Sequence, residues 1–459
     1  MLDYNTILYV LDLLYSWVWG APLLLAIMGI GLYLTVILKG LQFRYLKYAL
    51  ELVAGKHQGE AGKGDISHFE SLMTALAATI GIGNIAGVAT ALAIGGMGAL
   101  FWMWVTALIG MATKYAEAIL AVKYRTVDKR GEMCGGPMYF IEYGLGWHSL
   151  AAAFALFGAI ASFGGGNMLQ ANSVADVMKS MFDVNPWTSG IIIALLTGLT
   201  LMGGIKRIGH VASWLVPFMA IFYIGGGALI LLMKYDRIPE ALWNIVTHAF
   251  TGQAAFGGFL GSTVLLAIQV GVSRGLMTSE AGLGTASIAA AAAKTDLPGR
   301  QALVSMTGCF LATIVMCSVT GLVLGVTDIF GKVNADGKLI NGATMTLMAF
   351  NSVFSWGGYI VTIGLILFAF TTLLGWAYYG EKCLEYLLGE RSIIPYRLLF
   401  TFAVIPGAVL ELDIVWKISD ITNGLMAFPN LIGLAALSPV VLSETKAFLF
   451  VLKKEHAQK

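Results

Sequence analysis

Two long apolar stretches of this chain are interrupted by glycine where a membrane span should be continuous. The first reads Thr79-Ile80-Gly81-Ile82-Gly83-Asn84, the second Gly271-Val272-Ser273-Arg274-Gly275-Leu276-Met277-Thr278. A broken helix leaves backbone N–H and C=O groups unpaired. In hydrocarbon that is tolerated only where the freed groups line a cavity or meet a ligand. A lone glycine in a span more often serves close helix packing. Two breaks at matching positions in two halves of a chain point instead to the central site of a secondary transporter.

Composition places the chain in a membrane. Of 459 residues, 58% are hydrophobic and 12% charged, about half the charge density of a soluble domain. A net charge of +2 gives no footing for a nucleic-acid partner. The first residues carry Asp3 and Asp12 and no basic run, unlike a signal peptide. Cys134, Cys309, Cys317 and Cys383 lack metal-ligand spacing and read as apolar fillers. No cluster of acids, histidines or a nucleophile suggests an enzyme, so no cofactor is expected beyond a coupling ion. No continuous polar stripe suggests a channel or a transport-derived sensor.

About eleven stretches are long and apolar enough to span. They cover residues 14–38, 68–94, 98–122, 150–176, 187–204, 210–233, 256–292, 301–326, 355–380, 396–412 and 415–443. Loop charges alternate, with roughly twenty basic residues on one side and five on the other. Lys39, Arg125, Lys206, Arg300, Arg391 and the tail lysines fall on the basic side. That puts the N-terminus outside and the C-terminus in the cytoplasm. The breaks fall in the second and seventh spans, which therefore run in opposite directions. The fold expected is all-α and integral to the membrane, a five-plus-five inverted repeat. An extra helix (14–38) precedes the repeats (68–233 and 256–443), and a cytoplasmic tail (444–459) follows. Between the eighth and ninth spans, Asn334–Lys338 marks a turn, followed by a short helix near Thr344–Phe350 over the outer mouth.

Helix ends at the midplane make a site without charged side chains. Half-helices beginning near Gly83-Asn84 and near Met277 offer N–H donors to an anion. Those ending near Ile80 and near Val272 or Ser273 offer carbonyls to a cation. A free amino-acid zwitterion fits both. Gln170 offers an amide to such a ligand, or an interhelical hydrogen bond. Thr371 and Thr372 with freed carbonyls suit Na⁺, a hard cation preferring oxygen, or bond back to their own helix. Arg274 is a candidate gate residue, or equally the structural partner of a carboxylate. Lys114–Glu117 and Lys417–Asp420 are spaced to pair on one helix face. No carboxylate is expected at the midplane of the site, which favours a metal ion over a proton as the coupling cation.

At these residues the chain resembles the alanine or glycine:cation (sodium:alanine) symporter family. Gly95-Gly96-Met97-Gly98-Ala99-Leu100-Phe101-Trp102-Met103-Trp104-Val105-Thr106-Ala107-Leu108-Ile109-Gly110 is similar to that family's signature, and Gly135-Gly136-Pro137-Met138-Tyr139-Phe140 to its cytoplasmic loop. Arg274-Gly275-Leu276 and Glu280-Ala281-Gly282-Leu283-Gly284 are similar to its second break. Met277-Thr278-Ser279 departs from the common Phe-Ser-Asn, and Thr285-Ala286-Ser287 from Ser-Ala-Pro. The resemblance implies a leucine-transporter-like fold and Na⁺-coupled uptake of alanine and glycine. The protein is expected to work as a monomer in the cell membrane. A proton-coupled permease is the rival. The resemblance to the symporter family implies a substrate carboxylate on the Ile82 and Gly83 amides, bordered by Thr79 and Asn84. Ser273, Arg274, Gly275, Leu276 and Met277 would line the substrate from the second break, and Gln170 would close it. Sodium would take the Ala77 and Ile80 carbonyls and the Thr371 and Thr372 hydroxyls.

Overall fold

Apolar runs of this length satisfy every backbone polar group internally only as helices, and helices dominate the structure. This computed structural model describes residues 4–55, 62–254, 261–334, 337, 339–410 and 413–457. The helices that build the bundle are α1 (Tyr4–Val18), α2 (Ala21–Ile37), α3 (His68–Thr79), α4 (Ala86–Gly95), α5 (Gly98–Lys123), α6 (His148–Phe163) and α7 (Leu169–Phe182). They continue with α8 (Pro186–Leu201), α9 (Gly204–Met233), α10 (Val264–Ser279), α11 (Thr285–Ala291), α12 (Pro298–Cys309) and α13 (Ser318–Val326). The last four are α14 (Gly357–Leu388), α15 (Ile393–Val409), α16 (Asp413–Ala436) and α17 (Ser438–Ala457). Outside the two breaks, the apolar stretches read from the sequence are mainly helical over their described residues. Among the described residues, seven helices qualify by length and composition to cross a membrane, and a bent pair makes an eighth. The broken helices escape that criterion because each half is short, with 12, 10, 16 and 7 residues in α3, α4, α10 and α11.

The two broken helices lie antiparallel. The approach to α3 meets the exit of α11, where Ile66 bridges Ala293. At the other end, Gly95 of α4 lies against Ala267 and Val270 of α10. This is the inverted arrangement that the loop charges predict. The α3 start is fixed by a capping box, with Ser67 Oγ accepting from Glu70 N at 3.2 Å and Glu70 Oε2 accepting from Ser67 N at 2.9 Å.

Two helices contain wide π turns, Gly164–Met168 between α6 and α7 and Phe310–Cys317 between α12 and α13. A short hairpin, β1 (Thr126–Val127) with β2 (Met133–Cys134), follows α5. The expected short helix appears as Gly342–Asn351. Of the turn before it, Ala335, Asp336 and Lys338 lie outside the described residues. The tail is helical too: α17 leaves α16 at 62°. It is tied back by Lys123–Glu444 at 2.7 Å and Arg300–Glu455 at 2.6 Å. All four cysteines are free and buried.

The second break is not where Gly271 and Gly275 stand. α10 runs unbroken through both and ends at Ser279, so no half-helix ends near Val272 or Ser273 or begins near Met277. The chain unwinds over Glu280–Gly284, with φ of +53° at Glu280, +94° at Gly282 and +83° at Gly284. Gly271 and Gly275 instead let α10 lie directly on α5. A Cβ at Gly271 would stand 2.5 Å from Ala99 O, and one at Gly275 3.0 Å from Met103 Cα. Backbone cannot yield as a side chain does, so Gly271→Val is expected to cost about 1–3 kcal/mol through overpacking. A thermal midpoint in detergent equal to that of the parent would sink this account.

Candidate substrate and ion site

Both breaks open on one cavity of ≈ 270 Å³. Thr79, Gly81, Ile82 and Gly83 border it from the first break, and Arg274, Met277, Thr278 and Glu280 from the second helix. Gln170, Thr372 and Trp376 complete its middle, and Ser419, Asp420 and Asn423 of α16 its far wall. At about 30 Å³ per water the space suits a ligand of several heavy atoms.

The first break leaves the Ile82 and Gly83 amides without a backbone acceptor. α3 ends at Thr79, Ile80 takes a non-helical ψ of 89°, and a single 3₁₀ turn, Ile82–Asn84, leads toward α4. First-turn amides have no acceptor within their own turn, and Gly83 is exposed to the cavity. Asn84 holds the turn from behind. Its Oδ1 accepts from Gly81 N at 3.1 Å, and its Nδ2 donates to Ala312 O at 2.9 Å. Asn84 is fully buried and is not among the residues that line the cavity.

The second break is satisfied by protein. Lys114 Nζ donates to Ser279 O at 2.7 Å, at the carboxyl end of α10. Glu117 Oε1 accepts from Gly282 N at 2.9 Å and from Asn430 Nδ2 at 2.7 Å. Asn430 Nδ2 also donates to Gly282 O at 2.9 Å. Lys114 and Glu117 thus reach across to the break instead of serving only each other. Glu280 Oε2 accepts from Thr285 Oγ1 at 3.0 Å, and Thr79 and Trp376 also face its carboxyl.

Beside the first break, Thr372 Oγ1 donates to Ala77 O at 3.1 Å. The same hydroxyl stands 2.7 Å from where a Gly81 Cβ would be. A hydroxyl oxygen and the carbonyls of a helix end, at Ala77 and Ile80, are the donor set a hard cation wants. Thr371 points elsewhere: its Oγ1 donates to Phe368 O at 3.0 Å and lies 3.5 Å from Met219 Sδ.

Of the residues expected at the substrate, Thr79, Ile82, Gly83, Gln170, Arg274 and Met277 reach the cavity. Asn84, Ser273, Gly275 and Leu276 do not line it. The expectation of no carboxylate at the site fails, because Glu280 and Asp420 both line it. Lys417 pairs with Asp12 rather than with Asp420, and Asp420 lies within electrostatic reach of Arg274. Gln170 Nε2 donates to Gly165 O at 2.9 Å. Its Oε1, Ser419 Oγ and Asn423 Oδ1 are buried without a protein partner. All three stand around one cavity, where an acceptor left unpaired costs about 1–3 kcal/mol. Sequence reasoning missed Ser419 and Asn423, although their spacing of four in an apolar helix puts both on one face. Trp19, beside the α1–α2 junction, lines the cavity and donates to Asp420 O at 2.8 Å. No local pattern marks it.

The profile of the sodium:alanine symporter family matches residues 5–459. The chain belongs to that family. It is a multi-pass membrane transporter and not an enzyme. The sodium/alanine symporter AgcS of Methanococcus maripaludis is 55% identical over 96% of this chain and 97% of its own length. The probable sodium/glutamine symporter GlnT of Bacillus subtilis is 35% identical over 94% of this chain and 88% of its own. Among solved structures, MhsT in complex with L-phenylalanine superposes with a TM-score of 0.59 at 16% identity, over 84% of this chain and 93% of that one. A manganese transporter of Eremococcus coleocola gives 0.52 at 13% identity, over 82% and 78%. At such low identity these two likenesses establish the fold alone: the leucine-transporter-like architecture that the antiparallel broken helices share.

Proposed function

We propose that this member couples Na⁺ to the uptake of alanine and glycine by alternating access. The observation that carries the reading is one cavity bordered by free N-terminal amides at Ile82–Gly83, with the Thr372–Ala77 oxygen pair beside it. The substrate carboxylate rests on those amides, where a helix N-terminus favours an anion. The ammonium turns toward the unpartnered oxygens, Gln170 Oε1 first. Ala77 and Ile80 carbonyls and the Thr372 hydroxyl hold Na⁺, with Thr371 joining only by releasing Phe368 O. Arg274 and Asp420 close the mouth. The protein works as a monomer in the cell membrane, with its N-terminus outside and its basic end, where α17 lies, in the cytoplasm.

One charge falling through 100 mV supplies about 2.3 kcal/mol, enough for roughly 50-fold accumulation. The test is radiolabelled alanine uptake into proteoliposomes under an imposed Na⁺ gradient. Uptake indifferent to Na⁺ but driven by a pH gradient would favour the rival, a proton-coupled permease. The cavity carboxyls of Glu280 and Asp420 give that rival a footing. Gln170→Ala is expected to weaken alanine binding about tenfold, the loss of one hydrogen bond to a charged group. Unchanged affinity by calorimetry would return Gln170 to helix packing.

A further inference from the structure

The end of the bundle opposite the cavity mouth is closed by backbone rather than by side-chain packing. Asp65 N and Ile66 N donate to Ala292 O at 2.8 and 3.2 Å, and Lys294 N donates to Ile66 O at 2.7 Å. The approach to α3 and the exit of α11 thus form a short parallel bridge. Gly62 and Gly64 permit it, because a Cβ at either would collide with the backbone of 293–296. One side chain clamps this bridge. Arg125, just beyond α5, donates from Nη1 to Ala291 O at 2.9 Å and to Ala293 O at 2.7 Å, and from Nη2 to Lys63 O at 2.7 Å.

The fork geometry of a guanidinium fits this task. It supplies several donors in one plane to carbonyls on two separate segments. Carbonyls at the carboxyl end of α11 also carry partial negative charge, which favours a cation there. The bridge joins the two broken helices at the ends that must part for ligand to leave toward the basic side. No other residue touches both segments through so many charge-assisted bonds in the described structure.

We infer that Arg125 is the inner gate of the transport cycle: a positioning residue whose three bonds hold the broken helices together and set the balance between the two facing states. This rests on the alternating-access reading above. Removing charge-assisted bonds of this kind from one of two states shifts their ratio by about tenfold or more.

The test reads accessibility, not transport. Ser71 is buried behind the bridge, with its hydroxyl donating to Ala289 O at 3.0 Å. Ser71→Cys is introduced with Cys134→Ser, reconstituted, and treated from the basic side with a charged, membrane-impermeant thiosulfonate. Arg125→Gln is expected to raise the labelling rate of Ser71→Cys about tenfold, with an unchanged thermal midpoint. Arg125→Lys keeps the charge and loses the fork, and is expected to give a smaller rise. An unchanged rate in either folded variant overturns the gate. So does a rise accompanied by equal new reactivity of Cys309 and Cys317, which would mean general loosening. Should Arg125→Gln not fold, Arg125→Lys decides alone. Alanine uptake by the parent protein judges the transport reading separately, because the labelling needs neither Na⁺ nor substrate.

Discussion

Lys114→Met is expected to destabilise the protein by about 3–5 kcal/mol, the range for removing one partner of a buried ionic group. Lys114 is 2% exposed, Glu117 0% and Glu280 3%. The ammonium binds Ser279 O and stands among these carboxyls. Without it, two buried acids lose their cation and the carboxyl end of α10 loses its donor. Adding Glu117→Gln should recover part of the loss, because one stranded charge disappears while Oε1 still accepts from Gly282 N. A double-mutant cycle measures that coupling. A loss below about 1 kcal/mol would mean that the ammonium only fills space.

Thr372→Ala is expected to raise the Na⁺ concentration for half-maximal alanine uptake by about tenfold, or 1.4 kcal/mol. Thr371→Val should change it far less. The two residues are neighbours in sequence and equally buried in the same helix, so propensity and packing do not separate them. What separates them is direction: one hydroxyl meets Ala77 O and the other meets its own helix at Phe368 O. Equal effects from both variants, or none from Thr372→Ala in a folded protein, would remove the cation from this place.

The first break was legible because Gly81-x-Gly83 interrupts an apolar run that has no other reason to stop. The second was misplaced because glycine has two uses. Gly271 and Gly275, four apart, share one helix face and let another helix in. Gly282 and Gly284, two apart, take positive φ and undo the helix. Both true breaks therefore read Gly-x-Gly, and the spacing held the distinction. Glu280-Ala281-Gly282-Leu283-Gly284 was visible as a family motif, but its polar backbone is satisfied by Lys114, Glu117 and Asn430. These lie more than 140 residues away along the chain, and no local pattern announces such partners. Asp420 was assigned to Lys417 on helical spacing. Spacing permits a pair but does not choose between it and a partner on another helix, and here Asp12 took the lysine.

The wide turn at Gly164–Met168 has a consequence for Gln170. Its carboxamide is pinned by Gly165 O, the carbonyl five residues back, a distance that a π turn shortens and an α turn does not. Each residue added to or removed from a helix rotates everything beyond it by about 100°. Deleting Gly165 would restore ordinary winding and swing the amide out of the cavity without changing the identity of any side chain that lines it. At this position the count of residues, more than their identity, decides what the helix presents to the cavity.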